Sequence, residues 1–297
     1  MPAPPVGPKR NRRSQVLVIL LGVALVAALG TLAFFLVQLH DANARIVDQK
    51  QQIEEQKDLI DQKETFGASM QSLLDTASKF DGVLVTSVVP FDRYQSVAER
   101  SWYHRWNPAA LERDIDTVRE DTKELEATLG TANTEATTNT TGSTYEAVID
   151  QLGAGFATSV IDDADTLCAE DVLACVVSDD PTTVHFDAAD SSLPYMNDAL
   201  KTGLAYHEFA HVLQFANPDA THTALKSFDG DEETMADCFA LTYLDGWTLD
   251  HRVFINRYEY WDVSIGYGYT CNDAQKQVVR DWYSGLGFHV QPISQKH

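Results

Sequence analysis

The chain has 297 residues, of which 44 are acidic and 22 are basic, so its formal net charge is −22. Such a negative charge repels nucleic acid and anionic membrane surfaces, so the composition argues against both as ligands and favours soluble or basic ones. No period of about 20–50 residues recurs, which argues against a repeat architecture.

The first predicted element is a transmembrane helix. Residues 16–39 carry no charged side chain, and this run is long enough to cross a hydrocarbon core of about 30 Å as a helix. The preceding residues 1–15 are basic, and the chain after the run is acidic. The positive-inside rule therefore predicts a cytoplasmic tail, a single-pass anchor in the cell membrane and an extracytoplasmic remainder. A secretion signal cleaved near Ala42-Asn43-Ala44 is the alternative, but the apolar run exceeds the roughly 7–15 residues of a signal core.

A polar, charged stretch follows the anchor, and residues 40–65 predict a helical stalk. Ile46, Ile53 and Ile60 are seven residues apart and so supply one apolar position per heptad. A coiled-coil seam needs two such positions per heptad. We therefore expect a solvated helix, with weak homodimerisation through the stalk as the alternative.

Residues 66–127 are expected to form a membrane-proximal extracytoplasmic region. Within it, the β-prone run from Val83 to Val89 predicts a strand, and Asn107-Pro108 predicts the start of a helix. The threonine-rich residues 128–144 predict an exposed linker. The remaining residues 145–297 are numerous enough for one domain with its own core.

The most informative motif is His207-Glu208-Phe209-Ala210-His211. Its surroundings are apolar, and Asn217-Pro218 predicts the end of a helix that contains it. Histidines four residues apart on a helix project from one face, so both imidazoles can reach one metal ion. Glu208 then emerges beside the open coordination position, where a carboxylate can take a proton from metal-bound water.

A catalytic zinc ion usually has three protein ligands and one water, so a third ligand is required. Glu233 and Asp237 are four residues apart near the start of a further predicted helix. One of them can complete the metal shell while the other accepts the outer N–H of a ligand histidine. Glu233 is the preferred ligand and Asp237 the second choice, and His222 between the motifs is a further option.

His-Glu-x-x-His followed by Glu-x-x-x-Asp resembles the gluzincins, the thermolysin-like division of zinc peptidases. The stretch from Glu233 to Ala240 is similar to the second motif of a family of bacterial neutral zinc metallopeptidases. Two flanking stretches, Cys175 through Asp187 and Gln275 through Gly285, resemble that family more weakly, so the similarity covers about residues 145–291. The chain departs from the family by having Thr-Met after Glu233, where Leu-Gln is usual.

The resemblance implies a Zn2+-dependent peptidase acting on a peptide or protein substrate. It makes His207, His211 and Glu233 the zinc ligands, Glu208 the general base, and Asp237 the partner of a ligand histidine. It also implies an α+β fold, in which a mainly helical zincin-like domain with a small edge sheet follows the transmembrane helix and the stalk. A catalytically inactive zincin-fold envelope interaction protein is the alternative, and a hydrolase of another amide, such as a cell-wall peptide, is a third.

Two further features of the site are open in the sequence. Zincins usually bind substrate along a sheet edge, and the alternating residues 182–187 are the expected edge strand. The donor that stabilises the oxyanion has six candidates, which are Tyr243, Tyr258, Tyr267, Tyr269, His251 and His289.

The four cysteines all lie in the predicted extracytoplasmic part, so disulfides are expected, with three possible pairings. The favoured pairing joins Cys168 to Cys175 as a local loop and Cys238 to Cys271 as a clamp on the second metal-ligand helix. Zinc binding by these cysteines is the alternative, but a Cys-x-x-Cys spacing is lacking.

Overall fold

A computed structural model describes residues 12–168, 172–268 and 271–293, with side chains from residue 20 onward. The contacts divide the chain into two compact units, Met1–Lys63 and Glu64–His297. Most of the predicted tail lies outside the described residues, as does the candidate Tyr269.

Helix α1 spans Arg12–Ala77, and its residues up to Lys63 form the first unit. Within the described part of the chain, it is the one helix long and apolar enough to cross a membrane, with a mean hydropathy of 2.6 in its apolar stretch. The apolar side chains there are exposed, Leu20 by 62% and Phe35 by 65%. A signal sequence near the N-terminus can also be helical and apolar, so the anchor and its orientation stay predictions.

The residues predicted to form a stalk are helical throughout. Ile46, Ile53 and Ile60 are exposed, by 49%, 61% and 55%, respectively. An exposed apolar row of this kind is compatible with weak self-association, and dimerisation through the stalk stays a prediction.

The second unit begins with the end of α1, which is followed by 3₁₀ turns at Ser78–Phe80 and Thr86–Val88. The predicted strand from Val83 to Val89 is therefore wrong. The Leu84 carbonyl accepts from the Asn217 side chain, and the Thr86 hydroxyl donates to the Ala216 carbonyl at 2.5 Å. These contacts with the end of another helix outweigh the local β propensity of the run.

Two helices form the next part of the second unit, α2 at Phe91–His104 and α3 at Pro108–Glu135. The predicted start of α3 is confirmed, because the Asn107 side chain accepts the Ala110 N–H. The predicted linker at 128–144 begins too early, since α3 continues to Glu135. Within the helix, the hydroxyls of Thr128 and Thr134 donate to the carbonyls of Glu124 and Gly130, four residues earlier, and so do not compete for other backbone groups.

The remaining chain alternates short strands and helices. These elements are α4 (Thr144–Gly153), β1 (Thr158–Asp162), α5 (Ala164–Leu167), β2 (Ala174–Val177), β3 (Asp180–Asp187), α6 (Ala188–Ser191), α7 (Asp198–Ala216), α8 (Pro218–Ala224), a 3₁₀ turn (Leu225–Phe228), α9 (Glu232–Tyr243), β4 (Asp250–Phe254), β5 (Tyr260–Ser264) and α10 (Asp273–Ser284). The chain is thus mainly helical with small sheets, as predicted.

The larger sheet has the strand order β1-β3-β2, and β4 and β5 form a separate antiparallel ribbon. β1 runs parallel to β3, with Val160 opposite His185, and β2 runs antiparallel to it, with Val176 opposite Val184. Residues 182–187 do form a strand, as predicted, but it is the central strand of this sheet, so its predicted position at the edge is wrong. β3 pairs with β1 on one side and with β2 on the other, and its Val184 and Phe186 are fully buried, as is typical of a central strand.

Helix α7 lies at the centre of the second unit, in contact with α4, α9, β2 and β3. All eight residues from His207 to Gln214 are buried, and because they cover more than two turns, buried residues occupy every side of the helix. A helix that is buried on every side is a core helix. The histidine motif is therefore carried by the most enclosed element of the domain.

Both predicted disulfides are present, Cys168–Cys175 and Cys238–Cys271. The first closes the loop that leads into β2, and the second joins α9 to the segment that precedes α10. Each one fastens an element that lines or supports the site described next.

Candidate metal centre

Local interactions fix both ends of the helix that carries the histidines. The Asn197 side chain accepts the Leu200 N–H at the start of α7, which satisfies one of the free donors of the first turn. At the other end Asn217 precedes a proline, and its side chain donates to the carbonyls of Leu213 and Leu84. The helix is thus held in place at both termini while its middle is packed in the core.

The acidic motif begins a second helix that packs against the first. The Asp231 side chain accepts the N–H groups of Glu233 and Thr234 and so caps α9. Glu233 lies in the first turn of α9, and Asp237 lies one turn later on the same face. Because α9 packs on α7, both carboxylates face the two histidines.

Three candidate ligand atoms converge between these helices. The Nε2 atoms of His207 and His211 are 3.2 Å apart. One carboxylate oxygen of Glu233, Oε2, lies 3.1 Å from the first and 3.0 Å from the second. Tetrahedral zinc with ligand bonds of about 2.0–2.2 Å separates its ligand atoms by roughly 3.3 Å. The triangle therefore has the size of one face of a zinc coordination tetrahedron.

The outer nitrogens of both imidazoles are assigned by their partners. Oδ1 of the Asp237 carboxylate can only accept, so Nδ1 of His207 carries a proton across 2.8 Å. Nε2 of the Gln214 amide donates to the Glu232 carbonyl. The amide oxygen of Gln214 therefore faces His211 and lies 2.7 Å from its Nδ1. Nδ1 of His211 is therefore also a donor.

With both Nδ1 atoms protonated, each neutral imidazole presents a lone pair on Nε2, and both lone pairs face the Glu233 carboxylate. Three lone pairs in contact repel one another unless a cation lies among them. The donor set, two neutral imidazoles and one carboxylate, is the set that borderline divalent metals such as zinc prefer. The residues present thus fit a zinc ion.

The pKa shifts of the candidate ligands also favour a positive charge between them. Burial disfavours a charged His207, but hydrogen bonds to Asp237 and Glu233 outweigh it and raise the pKa of His207 to about 10. Burial also opposes ionisation of Glu233, yet hydrogen bonds from the two histidines lower the pKa of this carboxyl. A positive charge at this position is therefore stabilised by the groups around it.

Glu208 follows the first histidine on α7 and is only 4% exposed. Burial raises the pKa of Glu208, although the nearby charges of His207 and His211 act in the opposite direction. A carboxylate that is more basic than usual is a better proton acceptor near neutral pH. Glu208 lines the same cavity as the three candidate ligands.

This cavity has a volume of about 520 Å³ and opens between α7, the start of α9, strand β2 and residues 264–267. The Asp187 N–H donates to the Leu173 carbonyl, so these two residues are a hydrogen-bonded pair of the antiparallel ladder. In an antiparallel ladder, hydrogen-bonded pairs alternate with pairs that are not hydrogen-bonded. Ala174 and Val176 belong to the second kind, so their N–H and C=O groups point away from β3, to the open edge of the sheet. Strand β2 thus borders the cavity as the edge strand that 182–187 was expected to be.

Three contacts of the site are not predicted from the two motifs. Gln214 orients His211, Gly266 lies beside Asp237, and the backbone N–H of Tyr267 donates to Oδ2 of Asp237 at 2.8 Å. A Cβ on Gly266 would lie 2.5 Å from Oδ1 of Asp237, and the φ of +112° at this position suits glycine alone. The spacing of three residues between His211 and Gln214 is a usable signal, whereas only the folded chain reveals the other two.

The remaining candidates are dispersed. Tyr267 lines the cavity, and its ring stacks on His207 with centroids 6.0 Å apart. The other described oxyanion candidates have partners elsewhere or face solvent: Tyr243 packs on Tyr283, His251 on Trp247, His289 contacts Asp81, and Tyr258 is 85% exposed. His222 lies on α8 and is exposed, apart from the described ligand cluster.

No protein-family model, curated protein or solved structure matches the chain.

Proposed function

We propose that this chain is a membrane-anchored, extracytoplasmic zinc metallopeptidase. The observation that carries the proposal is the convergence of His207, His211 and Glu233, whose three ligand atoms lie 3.0–3.2 Å from one another. Asp237 and Gln214 support it, because each accepts the outer N–H of one histidine and so frees the inner nitrogen for a metal.

When bound, a zinc ion at this position supplies a Lewis acid that polarises a carbonyl and lowers the pKa of water. Glu208 then acts as the general base, taking a proton from the attacking water and returning it to the leaving amine. Its burial in the cavity wall supports this role, since a desolvated carboxylate gains most from accepting a proton.

The open edge of β2 is the proposed guide for a peptide substrate. The peptide groups of Ala174 and Val176 are directed away from the sheet and are free to pair with an added strand. Such a strand would cross the cavity beside His207 and Glu208. The disulfide Cys168–Cys175 restrains this edge, which reduces the entropy lost when substrate binds.

Tyr267 is the proposed donor to the oxyanion. It is the one described candidate of the six in the cavity lining, and its contact with His207 keeps its ring next to the proposed metal position. Burial raises the pKa of Tyr267, and the nearby carboxylates of Glu233 and Glu208 raise it further, so the phenol keeps its proton for donation.

The location outside the cytoplasm is supported by two features. One is the apolar helix near the N-terminus, and the other is the presence of two disulfides, which persist in oxidising compartments. The basic residues before the helix favour an orientation with the tail in the cytoplasm.

The test compares the full-length protein with its Glu208→Gln variant in zinc content and in cleavage of a peptide library. The wild type should bind one zinc and cleave peptides, while the variant should keep zinc and lose at least about 10²-fold in kcat. Glu112→Gln, the same change at an exposed position on α3, should match the wild type. If the zinc-loaded wild type cleaves no peptide that Glu208→Gln leaves intact, the proposed peptidase activity is contradicted. That result would favour an inactive zincin-fold interaction protein.

A further inference from the structure

A second group of carboxylates lies away from the candidate zinc ligands. Glu135 is the last residue of α3, and Glu146 and Asp150 lie one turn apart on α4. Each of the three contributes a carboxylate oxygen, and these oxygens lie within 4.8 Å of one another. The described ion pairs of the chain include none of these three carboxylates, so their like charges face one another without a basic partner.

The backbone holds the cluster in a fixed geometry. The Asp150 carbonyl accepts the N–H of Gly155, where the chain turns with a φ of +76°. A Cβ on Gly155 would lie 2.0 Å from the Ala132 carbonyl oxygen, so the end of α4 is pressed against the last turns of α3. This close packing brings Glu135 next to the two carboxylates of α4.

Glu146 is held from the other side by the segment between the two helices. Its Oε2 accepts from the Thr141 N–H at 2.6 Å and from the Thr141 hydroxyl. Its Oε1 accepts from the Thr140 hydroxyl at 2.8 Å and from the Thr140 N–H. The side chain is only 1% exposed, so its charge stays in the folded domain and cannot swing into solvent. The α3–α4 connection is thus folded around a buried negative charge.

Asp150 is the residue that this arrangement leaves unsatisfied. It is 7% exposed, and its Oδ1 atom is buried with no hydrogen-bond partner among the described residues. Burial, followed by the charges of Glu135 and Glu146, raises the pKa of Asp150 to about 6. A buried carboxylate without a donor is costly, and a cation bound among the three carboxylates would remove that cost.

We propose that Glu135, Glu146 and Asp150 bind a calcium ion that fastens the end of α3 to the start of α4. Carboxylate oxygens without nitrogen or sulfur donors select a hard cation. Calcium accepts six to eight oxygen ligands in a flexible geometry, which suits carboxylates held in place by two helices, whereas magnesium demands a near-ideal octahedron. Water completes the shell. Because calcium sites of extracellular modules have dissociation constants of about 10⁻⁴–10⁻³ M, we expect an affinity in that range.

The experiment titrates calcium chloride into the full-length protein, with the zinc site saturated, and records binding heat and the thermal unfolding midpoint. The wild type should bind about one calcium ion and unfold at higher temperature with calcium present. Asp150→Asn and Glu135→Gln should each weaken binding at least about tenfold and lose the shift in midpoint. Glu126→Gln, at an exposed position earlier on α3, should behave like the wild type.

A separate measurement excludes the possibility that a variant fails to bind calcium because it fails to fold. Without calcium, Asp150→Asn should unfold at a temperature no lower than the wild type, because it removes one of three neighbouring like charges. Three results would overturn the proposal: no saturable calcium binding in the wild type, an unchanged affinity in both variants, or the same loss of binding in Glu126→Gln.

Discussion

His207 and His211 are equivalent in the sequence motif, but their surroundings differ. His207 donates its Nδ1 proton to a buried carboxylate, Asp237, whereas His211 donates its own to a neutral amide, Gln214. A carboxylate acceptor makes an imidazole more basic and a stronger metal ligand than an amide does. We therefore expect the two histidines to contribute unequally to metal affinity, with Asp237 accounting for the difference.

The corresponding prediction concerns Asp237→Asn. An amide offers one acceptor oxygen, so it cannot accept from both His207 and the Tyr267 N–H as the carboxylate does. Zinc affinity should fall about 10–100-fold, as is usual when the partner of a ligand histidine is lost. Competition with a chromophoric chelator measures this, with Gln214→Leu expected to cause a smaller loss.

Glu233→Gln is the control that separates the two acids. It should weaken zinc binding more than Asp237→Asn does, because it removes the charge of a ligand rather than that of a partner. The reverse order, with Glu233→Gln nearly silent and Asp237→Asn abolishing binding, would make Asp237 the third ligand, as the alternative from the sequence supposes.

At the scale of elements, the site depends on keeping α9 in register with α7. The disulfide Cys238–Cys271 joins α9 to the segment before α10. That segment follows residues 266 and 267, which support Asp237 from the other side. One crosslink thus restrains both the ligand helix and the loop that orients its acid.

Removal of this crosslink by the double change Cys238→Ala and Cys271→Ala should lower the free energy of unfolding by about 3–4 kcal/mol. This magnitude follows from the entropy of closing a loop between cysteines 33 positions apart in the unfolded chain. The double change Cys168→Ala and Cys175→Ala removes a crosslink between cysteines only 7 positions apart. It should lower the free energy of unfolding by about 2–2.5 kcal/mol. Denaturant unfolding of the zinc-loaded protein measures both, and a larger loss for the shorter loop would contradict the account.

Elements with strong local signals could be predicted from the sequence, and those defined by tertiary contacts could not. The start of α3 at Asn107-Pro108 and the end of α7 at Asn217-Pro218 depend on capping and on proline, which act locally. The run from Val83 to Val89 has strand propensity, but its backbone is bonded to distant side chains. Which strand lies at the sheet edge depends on pairing order, which one strand's sequence does not contain.

The same distinction applies to the site. A spacing of four residues predicts that His207 and His211 share one helix face and that Glu233 and Asp237 share another. That the two pairs meet is predicted from the need for a third ligand and from the resemblance of both motifs to those of zinc peptidases. The role of Gly266 could not be predicted. Glycine is required there because the Asp237 carboxylate, which is distant in sequence, lies against this position in the folded chain.

At the scale of the whole molecule, one apolar helix near the N-terminus precedes a strongly acidic unit. We expect the full-length protein to stay with membranes after an alkaline wash, because an apolar helix of this length is stable in the bilayer. Protease added to intact cells should digest residues 64–297 and leave an N-terminal tag protected. A chain released by the wash, or one whose N-terminal sequence begins near residue 45, would contradict an uncleaved anchor.

The most direct test of the metal centre is a crystal structure of the zinc-loaded protein with anomalous diffraction recorded at the zinc edge. A single strong peak is expected within about 2.0–2.2 Å of Nε2 of His207, Nε2 of His211 and a carboxylate oxygen of Glu233, with Asp237 hydrogen-bonded behind His207. Absence of a peak between the two imidazoles, or a peak from which Glu233 points away, would contradict the account.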